Sequence, residues 1–415
     1  MELKRVVVTG FGAITPIGNN AQEYWENLVK GVSGAAPITL FDSTNFKTKF
    51  ACEVKNFNPL DHFEKKEAKK MDRNTQLGVV AAREAVSHSR IIEDQVDKNR
   101  VGVIWGSGIG GLETFETEVL GWAKSEGIPR FNPFFIPKMI ADITPGHVSM
   151  EYGFHGPNYT TVSACASSTN ALIDAKMLLQ LGKADVIVCG GSEAAVTASG
   201  MGGFNSMMAL STRNDDYKTA SRPFDKDRDG FVLGEGAGCI ILEEYEHAKK
   251  RGATIYAELA GGGLSADAYH MTAPHPEGLG AYLVMKNCLE DAGVTPDEVD
   301  HINMHGTSTP LGDIAESNAI ARLLGEHAFD IQINSTKSMT GHLLGAAGVI
   351  EAIAALGTIL HGIVPPTINH FTDDENIDSR LDFTFNNAVK KDVKIAMSNT
   401  FGFGGHNACV LFKKL

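Results

Sequence analysis

Short runs that are apolar on both faces recur along this chain, and they constrain its fold more than any other feature. RVVVTG (5–10), VGVIWG (101–106), DVIVCGG (185–191) and GCIILEE (238–244) lack the polar–apolar alternation of a half-exposed strand. A strand apolar throughout must be covered on both sides, as in a parallel sheet flanked by helices. Helical stretches separate the runs, among them MDRNTQLGVVAAREAVSH (71–88) and residues 168–181. After about residue 255 the rhythm restarts. IYAELAGGG, DHINMHG, IQINST and NACVLF are strand-like, while YLVMKNCLEDAG and GVIEAIAALGTILHG are helical. The alternation predicts an α/β fold.

The restart suggests two halves, residues 1–255 and 256–415. In each half a strand or loop ends at a reactive side chain that opens a helix of very small residues. SACASSTNALIDAKMLLQLG does so in the first half and MTGHLLGAAGVIEAIAALG in the second, which places Cys165 and His342 at comparable helix starts. With 415 residues, 43% of them hydrophobic, the chain can bury a large core. No Pro/Ser-rich linker parts the halves, so they are expected to pack as one unit. The aromatic and charged segment 112–140 is expected to lie as an insertion over the core.

Charge limits the partners. A net charge of −13 argues against nucleic acid, whose phosphates require a basic footprint. An acidic protein partner would need a local basic patch. MELKRVVVTGFG shows no signal-peptide pattern, and no uninterrupted apolar stretch approaches the roughly 20 residues that span a bilayer. The six cysteines are scattered, without zinc or disulfide spacing, as expected in a reducing cytoplasm.

Cys52, Cys189, Cys239, Cys288 and Cys409 are expected to be small buried hydrophobes. Cys165 lies between a β-prone run and an Ala/Ser-rich helix. A helix N-terminus stabilises a thiolate, so this cysteine fits a nucleophile, although the pattern alone fits a buried thiol equally. NMHGTSTPLGD (303–313) and NSTKSMTGHLLGAAG (334–348) add His305 and His342 in glycine-flanked turns, with Lys337 nearby. Cysteine with histidine is an arrangement that activates a thiol. A metal is disfavoured, because His301 and His305 fall on one expected strand without the H-E-x-x-H spacing. In SNTFGFGGHNACV (398–410), glycines around Phe401 and Phe403 suggest either a plain turn or a mobile gate whose N–H groups reach a reacting oxygen.

VSACAS, NMHGTSTPLGD, STKSMTGHLLGAAG and SNTFGFGGHN resemble the β-ketoacyl-acyl carrier protein synthases. The resemblance extends through RVVVTGFGAITPIG, SRPFDKDRDGFVLGEGAG (221–238) and PPTIN (365–369), covering essentially the whole chain. GSGIGGL (106–112) is closer to the elongating type II enzymes than to type I. The resemblance implies a duplicated thiolase-like fold with five layers, α-β-α-β-α, in a homodimer without a cofactor. It implies that Cys165 carries the acyl chain and that His305 and His342 assist decarboxylation of a malonyl unit on acyl carrier protein. Lys337 would tune His342, with Glu351 as its buried partner, while Asp313 and Glu316 support the site. The N–H groups of Cys165 and Phe403 would form an oxyanion hole, with Phe403 as gate. Thr307 and Thr309 would touch the pantetheine arm, and Ile109 and Phe401 would line the substrate path. His406 stands where many relatives carry threonine.

Rival readings come from other classes. GSGIGG fits a dinucleotide loop, but no second strand ending in an acidic residue follows about 20 residues on. A thiolase would carry a second cysteine where this chain has GFGG, and a non-catalytic partner subunit would lack Cys165. Lys65, Lys66, Lys69 and Lys70 in FEKKEAKKMD form a basic cluster, either a plain solvated face or a docking site for an acidic carrier protein.

Overall fold

The structure, a computed structural model, describes residues 3–415. Ten strands make one continuous sheet: β1 (Val6–Ile14), β2 (Val101–Gly106), β3 (Asn158–Thr161), β4 (Val186–Glu193), β5 (Gly236–Glu244), β6 (Ala257–Ala266), β7 (His301–Asn303), β8 (Gln332–Asn334), β9 (Ile395–Gly402) and β10 (His406–Lys413). Their spatial order is β8-β7-β9-β10-β6-β1-β5-β4-β2-β3. Numbered within its own half, each set of five runs 3-2-4-5-1. The pairing senses also match: β2 pairs in parallel with β3 and β4 as β7 does with β8 and β9, and the remaining pairs are antiparallel. The two half-sheets join where Val7 and Val8 pair with Glu258 and Ala257.

The helices explain why the strands are apolar on both faces. The helix α1 (Arg73–Ser89) covers β1, β5 and β4 from outside, and α4 (Leu279–Ala292), beside α5 (Pro310–Leu324), covers β6 and β10. Between the two half-sheets lie α3 (Ser167–Gln180) and α6 (Ala347–His361), packed on each other and on both halves. The five expected layers are therefore present. Every residue from Ala347 to Ile359 is buried, so α6 has no polar face. Its small residues permit close approach to α3: a Cβ at Gly348 would lie 1.9 Å from Thr169 Oγ1.

The structure bears on three expectations about individual segments. Leu344–His361 is long and apolar enough by composition to cross a membrane, but 83% of that segment is buried inside the molecule, as a core helix. Glu351 interrupts the run, so it is not an uninterrupted apolar span. Segment 112–140 forms α2 (Leu112–Ala123) and a short helix, Phe135–Met139. Phe115, Trp122, Phe131 and Phe134 of this segment remain exposed, so it projects more than it caps. His305 lies beyond the end of β7, in a turn.

Candidate active site

Cys165 sits in a 3₁₀ turn, Ala164–Ala166, leading into α3. Ala164 adopts φ +52°, a region that side-chain-bearing residues seldom enter, so the chain turns sharply there. Ser167 closes this elbow: its hydroxyl accepts the Ser163 N–H at 3.0 Å and donates to the Ala164 carbonyl at 2.7 Å. The N–H groups of Phe403 and of Cys165 itself point at the thiol. Burial nevertheless pushes the thiol up to about 12, against the pull of the Lys337 charge and those two N–H groups. Desolvation thus outweighs the groups that favour the thiolate, and Cys165 rests as a thiol.

The second half repeats the elbow. Leu344, at φ +48°, opens the 3₁₀ turn Leu344–Ala346 before α6. The residue equivalent to Cys165 is therefore Gly345, and His342 stands three positions earlier. This corrects the equivalence drawn between Cys165 and His342 from sequence.

The 221–238 motif builds the cradle for His342. The His342 N–H donates to the Val232 carbonyl at 2.7 Å, the Gly234 N–H donates to the His342 carbonyl at 2.9 Å, and the Phe231 ring meets the imidazole edge-on at 5.3 Å. His305 is positioned from below by Glu316, whose carboxylate accepts the N–H groups of His305 and Gly306 at 2.8 and 2.9 Å and the Asn399 amide at 3.1 Å. The two imidazoles lie 5.3 Å apart at 85°. Burial, and then the Lys337 charge, hold both well below the ordinary histidine range, so both rings are neutral. Their Nδ1 atoms are buried and find no protein partner among the described residues.

Lys337, 1% exposed, pairs with the fully buried Glu351, which burial pushes up to about 7 against the Lys337 charge. Burial likewise raises Glu316 to about 7 and Asp313 to about 6. Asp313 accepts the N–H groups of Phe224 (2.9 Å) and Ser308 (3.2 Å) and faces buried Arg228 at 3.3 Å. Arg228 also donates to the Thr309 and Pro310 carbonyls, bracing the turn on which the Thr307 and Thr309 hydroxyls lie 2.9 Å apart.

A cavity of about 450 Å³ unites these groups. Cys165, His305, His342, Phe401 and Phe403 line it, with Thr307, Thr309 and Glu316. Ile109 is not among its lining residues and is 42% exposed. Phe403 occupies the turn between β9 and β10, where Gly404 and Gly405 take φ +90° and +75°. This turn is latched to a neighbouring loop: the Gly404 N–H donates to the Met271 carbonyl and the Asp267 N–H to the Gly405 carbonyl. His406 is exposed beside it. Lys65 and Lys66 start a four-residue helix, Lys65–Ala68, with Lys69 and Lys70 just beyond, and Lys70 pairs with Glu67 at 2.7 Å.

Sequence reasoning passed over Glu193, at the end of β4. Its fully buried carboxylate accepts the N–H groups of Gly108 (2.8 Å), Ile109 (3.1 Å), Gly110 (3.3 Å) and Gly345 (3.0 Å), plus the Ser107 hydroxyl (3.2 Å). The glycine loop GSGIGG thus spends its N–H groups on an internal carboxylate rather than a phosphate, which removes the physical basis of the dinucleotide reading.

Comparison with known proteins agrees with this architecture. Residues 3–248 match the family model "Beta-ketoacyl synthase, N-terminal domain" and residues 256–371 the corresponding C-terminal domain. The chain is 49% identical over 411 residues to the 3-oxoacyl-[acyl-carrier-protein] synthase 2 of Staphylococcus aureus (strain COL), covering 99% of this chain and 98% of that protein. It is 48% identical over 414 residues to the protein of the same name from a Synechocystis species, covering 100% and 99%. Among solved structures, a β-ketoacyl synthase from Burkholderia phymatum superposes with a TM-score of 0.92 at 33% identity, covering 99% and 100% of the two chains. A ketosynthase chain from a type II polyketide synthase, solved with its acyl-carrier protein, gives 0.92 at 33% identity over the full length of both chains.

Proposed function

The chain belongs to the β-ketoacyl synthase family and catalyses carrier-protein-dependent condensation in fatty-acid elongation, and from that premise we propose how its residues divide the work. Cys165 attacks an acyl thioester delivered by acyl carrier protein, and its proton leaves on the departing carrier thiol. The Cys165 and Phe403 N–H groups receive the oxyanion of that step. A malonyl thioester then enters and loses CO2 while its thioester oxygen becomes an enolate. His305 and His342 donate to this oxygen, and the enolate carbon attacks the acyl-Cys165 thioester; the C–S bond breaks, the β-ketoacyl group leaves on the carrier protein, and the Cys165 thiolate regains a proton from water. Decarboxylation creates the carbanion in place, so no strong base is needed; donors must instead meet two developing oxyanions.

One observation carries the reading: two neutral imidazoles share a cavity with a thiol at which two backbone N–H groups already point. Burial, aided by the Lys337 charge, keeps both rings neutral, Glu351 balances that charge, and Glu316 and Asp313 hold the His305 turn. Thr307 and Thr309 contact the pantetheine arm, and Phe401 and Phe403 gate the acyl path. The two halves are residues 1–255 and 256–415. Ile109 lies along the acyl tunnel, and the protein works as a homodimer. The open edge of β3 and the exposed, mutually stacked Phe115, Trp122 and Phe131 with Phe135 support that dimer. Six buried, unpaired cysteines support a reducing cytoplasm.

The test follows intact mass after adding acyl-acyl carrier protein and then malonyl-acyl carrier protein. An acyl adduct mapped to Cys165 and discharged as a product two carbons longer is the expected result. A folded protein that forms no adduct with competent carrier protein would refute the catalytic assignment.

A further inference from the structure

Glu193 belongs to no step of the mechanism above, yet five donors converge on its buried carboxylate from two distant segments. Three are the backbone N–H groups of the turn after β2, one is the Ser107 hydroxyl at its start, and the fifth is the N–H of Gly345 in the second elbow. The contacts leave no slack. A Cβ at Gly345 would lie 2.3 Å from the Gly108 nitrogen and 2.6 Å from Glu193 Oε2, and one at Gly108 would lie 2.8 Å from that oxygen and 3.3 Å from the Ala164 carbonyl oxygen. The carboxylate therefore ties the Gly108 turn, which abuts the residue before Cys165, to the turn three residues after His342.

The duplicated topology gives this tie a counterpart. In each half the fourth strand ends against the elbow of the other half. At the end of β9, the Phe403 N–H faces Cys165, and a Cβ at Gly402 would lie 3.1 Å from the Cys165 nitrogen. At the end of β4, Glu193 faces Gly345. One elbow carries a nucleophile with N–H donors aimed at it. Its pseudo-symmetric twin carries a glycine whose own N–H is held by a carboxylate.

We propose that Glu193 is a positioning residue for the condensation, clamping the Gly108 turn, which abuts the nucleophile elbow, and the turn after His342 at a fixed separation and placing a negative charge near Cys165. The proposal rests on the catalytic reading above. The clamp explains why the acceptor is a carboxylate. An amide offers one acceptor oxygen and would turn its NH2 towards the remaining N–H donors. The charge also acts on the nucleophile, since an anion beside Cys165 opposes its thiolate.

The experiment compares Glu193→Gln and Glu193→Asp with the wild type in the full chain. It measures condensation kinetics, thermal melting, and the pH dependence of Cys165 alkylation by iodoacetamide. For Glu193→Gln, kcat should fall on the order of 10²-fold, as displacement of reacting groups by about 1 Å does, with KM for malonyl carrier protein within about twofold. The alkylation midpoint should move to lower pH. Glu193→Asp keeps the charge and loses reach, so its midpoint stays and its kcat falls. A folded Glu193→Gln protein with wild-type kcat overturns the proposal, and so does lost kcat with an unmoved midpoint, the signature of a merely loosened fold. If Glu193→Gln does not fold, Glu193→Asp decides: lower kcat at a wild-type melting temperature upholds the clamp, and wild-type kcat overturns it. Failure of the wild type to condense would instead refute the catalytic reading, independently of the clamp.

Discussion

Both active-site histidines depend on one buried cation. Burial and the Lys337 charge together depress His305 and His342, so removing that charge should raise both. In Lys337→Met, NMR titration of the two imidazoles should show each protonating at higher pH than in the wild type. Unmoved titrations would mean that burial alone keeps the rings neutral. The same substitution strands Glu351, whose second oxygen already lacks a partner among the described residues. Breaking one side of a buried pair costs about 3–5 kcal/mol, whereas replacing both sides with apolar groups of similar volume is often neutral. Urea unfolding should therefore show Lys337→Met losing about that amount and Lys337→Met with Glu351→Leu recovering most of it. A single variant no less stable than the double would show that the pair carries no such penalty.

At the scale of elements, the short strands β7 and β8 are joined through His301, whose Nε2 meets Asn334 Oδ1 at 3.0 Å. Burial lowers His301 from 6.5 to about 4. Between those values the unfolded chain binds more protons than the folded one, so this residue's contribution is present above pH 6.5 and is lost as pH falls towards 4. From pH 7 to pH 5, wild type should lose about 2 kcal/mol more stability than His301→Asn. Equal losses in the two proteins would remove His301 from the account. Asp313, Glu316 and Glu351 are raised and act oppositely as pH rises, so the comparison with the variant isolates His301.

What the sequence made legible at this scale follows from where polar residues sit. The apolar cores of β1, β2, β4 and β5 and the helix α6 stand out, because neighbours cover them on both sides. The strand β9 was passed over because Ser398, Asn399 and Thr400 are buried polar residues in its centre. The edge strand β3 is the polar run NYTT. The helix α5 starts at Pro310, a favourable first position, but buries Asp313 and Glu316, which blurs its apolar stripe. Cys165, His305 and His342 announced themselves through their glycine- and serine-rich surroundings. Glu193 had no such signal, since its backbone donors lie 83 to 85 and 152 residues away in sequence and only the fold collects them.

At the scale of the whole molecule, a net charge of −13 leaves Lys65, Lys66, Lys69 and Lys70 as a local exception, and the first three are exposed. Electrostatic attraction to an acidic carrier protein acts chiefly on encounter and weakens with salt. Reversing the four lysines to glutamate should raise KM for acyl carrier protein substrates and flatten their salt dependence, while leaving turnover of small thioester mimics unchanged. Equal damage to both substrate types would remove this face as the docking site.

The twin elbows also bear on how such a chain can evolve. A duplicated fold begins with two equivalent places for a nucleophile, and here one has been walled in. No side chain fits at Gly345, because its first carbon would collide with a backbone nitrogen and with the carboxylate holding that turn. A single change to cysteine therefore cannot reawaken the second place; the glycine turn and Glu193 would have to change with it. Division of labour between the halves is in this sense one-way, kept by sterics even where selection on the second elbow is relaxed.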